Sequence, residues 1–202
     1  MKALSSLPDG YREIDSVDLQ RDKKTAILVN GLALLIAAAM VIPAALFVPF
    51  SALFAQEAGL AASLWKALVF LISLLAYMLL HELIHGVVMK ALGTEKVKYG
   101  FTGMYAFAGS DDYYDKRGYI VIALAPVVFF LLVFTALCLL VPREWFWIAY
   151  LLQVCNVSGA AGDFFVVARF TKLPEDSLVR DRGTGMTVYA KRGKGGEPQS
   201  RF

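Results

Sequence analysis

The residues of this chain best suited to chemistry fall in one stretch, His81-Glu82-Leu83-Ile84-His85. At 3.6 residues per turn, positions four apart lie nearly above one another on a helix. His81 and His85 therefore aim their imidazoles at one spot, with Glu82 on an adjacent part of the same turn. Two neutral imidazoles beside a carboxylate are what a catalytic zinc site needs: two ligands, and a base that takes a proton from water. The stretch lies inside an apolar run, Leu64 to Met89, long enough to cross a bilayer as a helix. An ionisable residue in a spanning helix costs about 2.5–3.5 kcal/mol on insertion scales, so three in one short stretch need a compensating partner, which a metal ion supplies. An HExxH pattern also arises by chance, and paired histidines often do no more than satisfy a helix surface. Here the chain has only 2 histidines, and they stand four apart with the glutamate in the required slot, which favours the metal.

The elements that must position this stretch are mostly apolar. Of the 202 residues 58% are hydrophobic, and the mean hydropathy of +0.58 lies well above soluble usage. The length allows one compact domain. Four apolar runs stand out: Ala26 to Phe50, Leu64 to Met89, Tyr119 to Val141 with Pro126 near its start, and Trp145 to about Ala168. Trp145, Trp147 and Tyr150 suit an interfacial aromatic belt. Cys138 and Cys155 sit in apolar runs and read as small core residues. The first run is too long for a signal-peptide core, so no secretory signal is expected. The loop from Lys90 to Gly118 contains Lys96-Val-Lys-Tyr-Gly-Phe and Met104-Tyr-Ala-Phe-Ala around a glycine turn, which predicts a small hairpin; an irregular interfacial loop is the alternative.

The expected fold class is thus an all-α membrane protein, with four transmembrane helices and a cytoplasmic-side β-hairpin between the second and third. Residues 1–25 form a lead-in, 26–168 the membrane domain with 90–118 as its hairpin loop, and 169–202 a tail. A turn at Asp181-Arg-Gly-Thr-Gly precedes the strand-like Met186-Thr-Val-Tyr, and Lys191 to Phe202 is expected to be disordered. Of the chain's 20 lysines and arginines, all but Lys66 and Arg143 lie in the lead-in, the middle loop and the tail. Cytoplasmic loops carry the excess of such residues, which predicts four spans with both termini cytoplasmic; the expected location is the cell membrane of a prokaryote. A net charge of +3 offers nothing to a nucleic-acid partner; the expected partners are the bilayer and a membrane or membrane-proximal protein substrate.

Catalytic zinc usually has three protein ligands. The candidates for the third are Asp163, Glu57 and the loop acids Glu95, Asp111, Asp112 and Asp115. Depth separates them. His81 and Asp163 lie similar distances along runs that both enter from the outer side, and at ~1.5 Å per residue they reach nearly the same level. Glu57 falls on the wrong side, and Asp163 is the only acid in its apolar run. Asn156 is seven residues earlier, hence on the same face of one continuous helix, and the small residues from Ser158 to Gly162 permit close approach of a helix or ligand. A packing seam with Asp163 capping a helix break is the structural alternative.

The HExxH in a membrane helix, the Ala123-Leu-Ala-Pro126 helix start and the late Asn156…Gly162-Asp163 element together resemble a small family of integral-membrane proteins described as putative zincin peptidases, a domain of unknown function. The likeness covers most of the chain, from about Leu7 to Tyr189. More distantly the pattern is similar to the site-2 type intramembrane metalloproteases. The resemblance implies His81, His85 and Asp163 as zinc ligands, Glu82 as the base, and Asn156 as the counterpart of an asparagine upstream of the site-2 aspartate, facing the oxyanion or the substrate backbone. The chain departs from the site-2 pattern in having Ala161-Gly162-Asp163 in place of Leu-Asp-Gly, and it carries no PDZ or CBS module. The expected activity is zinc-dependent hydrolysis of peptide bonds near the cytoplasmic face. The alternatives are a catalytically inactive zinc-binding pseudoprotease that binds membrane partners, and a metal transporter, for which one compact site and no repeats leave little pathway.

Overall fold

The computed structural model describes residues 2–17, 22–53, 59–103, 106–183 and 185–191. In chain order its elements are β1 (Tyr11–Val17), α1 (Lys23–Phe47), α2 (Gly59–Ala91), β2 (Lys98–Phe101), β3 (Ala106–Gly109), β4 (Tyr113–Asp115), α3 (Lys116–Leu140), α4 (Phe146–Gly159), α5 (Ala161–Phe170), β5 (Leu178–Asp181) and β6 (Met186–Lys191). Three helices and the α4–α5 pair are long and apolar enough to cross a membrane, the pattern of an integral membrane protein. The expected hairpin is present as β2 and β3, paired antiparallel.

An all-α description is too narrow, however. A four-stranded antiparallel sheet in the order β1-β6-β5-β4 joins the lead-in, the middle loop and the tail. Its strand β6 alternates buried and half-buried positions, Met186, Val188 and Ala190 facing inward. The expected disorder of the C-terminal end concerns residues 192–202, which lie outside the described residues; Lys191 ends β6.

Two cores hold the molecule. One joins Tyr77, Phe130, Phe134 and Leu152, where α2, α3 and α4 meet. The other places Met89, Tyr119, Ile122 and Phe170 from the helix ends against Val17, Val179, Met186 and Val188 of the sheet. On α2 the residues Tyr77, His81, His85 and Met89, four apart, form one inward stripe that runs from the first core to the second. The metal-type motif therefore sits between the cores, with packing on both sides.

Helix α1 rests on α4 and α5 and has no buried residue among those described, as a helix wrapped in lipid would. Two side chains tie it and the turn after it to α4: the Tyr150 hydroxyl donates to the Met40 carbonyl at 2.9 Å, and the Trp147 indole N–H to the Pro49 carbonyl at 3.2 Å. Trp147 is fully buried, so of the residues read as an interfacial belt it is a core residue. Lys116 ties α3 to the segment that leads from α5 into β5. Its ammonium, at the start of α3, donates to the Leu173 carbonyl at 3.0 Å and to Glu175 at 2.8 Å just beyond α5.

Candidate active site

The fourth apolar run breaks at Ala160, and the break decides where its polar residues point. Gly159 and Gly162 weaken the helix on either side of Ala160, and the chain leaves α4 there to start again as α5. Asp163 then falls in the first turn of α5, where unpaired N–H groups favour an anion. Its carboxylate faces α2: Oδ2 is 3.7 Å from His81 Nε2 and Oδ1 is 4.0 Å from His85 Nε2. One ligand atom from each of the three residues lies within 4.8 Å of the others. Donors around a tetrahedral zinc stand about 3.3–3.5 Å apart, as bond lengths near 2.0–2.2 Å dictate, so the trio fits that ion with small adjustments. The other acids proposed as third ligand lie elsewhere or outside the described residues. Asp111 is clamped at the surface by Lys98 (2.5 Å) and Arg180 (2.8 Å), which hold its carboxyl below the usual carboxylate range.

The far nitrogens of the two rings are already committed. His85 Nδ1 is 2.9 Å from the Ile122 carbonyl, and His81 Nδ1 is 3.2 Å from the Tyr77 hydroxyl. Asn156, expected to face a developing oxyanion, is instead completely buried behind Tyr77. Its amide oxygen accepts from the Tyr77 hydroxyl at 3.4 Å, and its amide N–H donates to the Val127 carbonyl at 3.1 Å. Asn156 and Asp163 thus meet the inward stripe of α2 at different points, Asn156 at Tyr77 and Asp163 at His81 and His85.

Tyr77, His81, His85 and Asp163 line a cavity of about 510 Å³ that lies between the helices and the strands. Glu82 reaches it from α2, and Ala108 of β3 lines it as well. Two residues that sequence reasoning missed also line it, Tyr119 of α3 and Asp181 at the end of β5. The Tyr119 hydroxyl donates to Asp181 Oδ2, and the Gly183 N–H donates to Oδ1 at 2.7 Å. Burial pushes the Asp181 carboxyl above the ordinary carboxylate range, against the pull of those two hydrogen bonds. Asp181 was visible only as part of a turn signal, while Tyr77 had a usable one: it stands four residues before His81, on the same helix face.

No curated protein and no solved structure matches the chain. Residues 74–178, which run from the turn of α2 before Tyr77 to the start of β5 and so include every member of the His81–His85–Asp163 trio, match a family described as putative zincin peptidase; the chain belongs to that family.

Proposed function

We propose that the chain is a zinc-dependent, membrane-embedded peptidase acting on membrane or membrane-proximal proteins near the cytoplasmic face. The observation that carries the reading is the convergence of His81, His85 and Asp163 in a cavity that Glu82 also lines. His81, His85 and Asp163 would hold the ion. Zinc supplies Lewis-acid polarisation of a carbonyl and makes water a stronger acid. Glu82 takes the proton from the attacking water on its carboxylate and passes it to the leaving amine.

The strand carrying Ala108 also suits the substrate. In an antiparallel pair the backbone groups of alternate residues face the outer edge. The Ser110 N–H reaches the Asp181 carbonyl at 2.7 Å, which puts Ser110, and by alternation Ala108, on the outer edge of β3. Ala106 shares that edge and lines the cavity, which leaves its backbone available to an extended peptide. A substrate helix must unwind before attack because its carbonyls are bonded internally, and an edge strand offers the unwound segment replacement partners.

The orientation follows from the lysine and arginine distribution, both termini being cytoplasmic. Gly195→Cys should then resist a membrane-impermeant thiol reagent in intact cells; labelling from outside would overturn the orientation. The peptidase itself is tested with purified, zinc-loaded protein in vesicles, offered a library of membrane-segment peptides and analysed by mass spectrometry. Wild type should cleave, while Glu82→Gln keeps its zinc and loses about 10²–10⁴-fold in rate. A wild type that retains zinc and cleaves nothing would make the protein an inactive zinc-binding partner protein instead. Cleavage that survives in Glu82→Gln would remove Glu82 as base.

A further inference from the structure

α3 carries a buried proline, Pro126, in mid-helix. Proline has no N–H, so the carbonyl four residues earlier, that of Ile122, loses its helical donor. In an apolar helix bundle an unpaired carbonyl is costly and must find a partner. The partner is His85, whose Nδ1 stands 2.9 Å away. A carbonyl only accepts, so Nδ1 carries the proton and Nε2 keeps its lone pair, the lone pair that faces Asp163.

A second carbonyl of the same helix fixes the other ring by a longer route. The Val127 carbonyl accepts from an Asn156 N–H, which turns the amide oxygen of Asn156 towards Tyr77. The single hydroxyl hydrogen of Tyr77 is thereby spent on Asn156, and its oxygen is left to accept from His81 Nδ1. His81 Nε2 then also presents a lone pair to the same point beside Asp163.

The structure assigns to Pro126, through the carbonyl it frees, and to Asn156 with Tyr77 the role of positioning residues: they lock both histidines in the Nδ1–H form with their Nε2 atoms turned to Asp163. This rests on the metal-site reading given above and adds what prepares the site to receive an ion. Such supporting contacts are worth about 10–100-fold in metal affinity where they have been removed from other sites. The Tyr77–Asn156 contact is long at 3.4 Å, so the His81 route is the weaker of the two.

With only 2 histidines in the chain, selective nitrogen-15 labelling yields two rings and a readable tautomer for each. The metal-free protein in detergent micelles at mildly alkaline pH should show both with a protonated Nδ1 and a bare Nε2. Pro126→Ala returns an N–H to compete for the Ile122 carbonyl, so His85 should become a tautomer mixture while His81 is unchanged. Tyr77→Phe should do the reverse, and it keeps the ring that packs in the core should Pro126→Ala fail to fold. Zinc affinity should fall about tenfold or more in either variant, with unaltered stoichiometry. An Nε2–H form at either ring of the wild type would overturn the assignment. So would variants whose tautomers and zinc affinity match wild type. A wild type with the stated tautomers that binds no zinc would instead sink the peptidase reading and leave the orienting contacts standing.

Discussion

Near one end of α2, the buried ammonium of Lys66 donates to the Glu144 carbonyl at 2.8 Å and to the Ala52 carbonyl at 3.3 Å, with the Trp145 ring 5.8 Å away. Near the other end, His81 and His85 are equally buried, yet each uses only its far nitrogen and turns the near one into a cavity. Both ends place ionisable groups in an apolar helix, at a cost that needs compensation. At Lys66 the ammonium itself is engaged: its partners are carbonyls of the two short 3-10 turns, Phe50–Leu53 and Arg143–Trp145, which it joins to α2. At the histidines the engagement is partial, and the unused atoms converge with a carboxylate. A buried charge or imidazole alone does not mark a site; unused ligand atoms aimed at one point do.

The largest effect should come from removing the convergence. Asp163→Ala leaves two imidazoles, and two protein ligands rarely hold zinc against exchange. Zinc affinity measured by competition with a chromophoric chelator should fall by more than the about 10–100-fold that a lost supporting hydrogen bond costs. Wild-type affinity in Asp163→Ala would mean that another group, such as the cavity-lining Asp181, completes the site, and the contrast between the two ends would need redrawing.

How much of this could be read in advance depends on range. The His81–Glu82–His85 trio is local, because helical periodicity alone sets its geometry. Asp163 could be reached by depth, since helices of known rise that enter from one side bring their residues to predictable levels. Asn156 does share a helix face with Asp163, but Tyr77 stands between it and His81, and that packing no spacing rule announces. The missing N–H of Pro126 is legible in the chain, but which donor uses the freed Ile122 carbonyl is decided by packing between α2 and α3. The sheet was the least legible element. Tyr11–Val17 pairs with Met186–Lys191 from the opposite end of the chain, and no local pattern announces such a partner. Asp181 enters the cavity on that sheet, so it was hidden for the same reason.

The smaller effect belongs to the Lys66 end, and it sharpens the contrast because it should touch stability alone. Lys66→Met keeps an unbranched apolar stem of similar reach while removing the ammonium. The Glu144 and Ala52 carbonyls then lose their donor in a part-buried setting, and leaving buried acceptors unpaired costs on the order of 1–3 kcal/mol. Some of that is offset, because the charge no longer has to be desolvated. The net expectation is a modest drop in the thermal unfolding temperature in detergent, with zinc affinity and stoichiometry as in wild type. The two ends of α2 share one helix but no hydrogen bond, so a loss at one should not travel to the other. A Lys66→Met protein with wild-type stability would show that the 3-10 turns are held without the ammonium. One with weakened zinc binding would show that the Lys66 end helps set the histidines, and the division drawn between the two ends would fail.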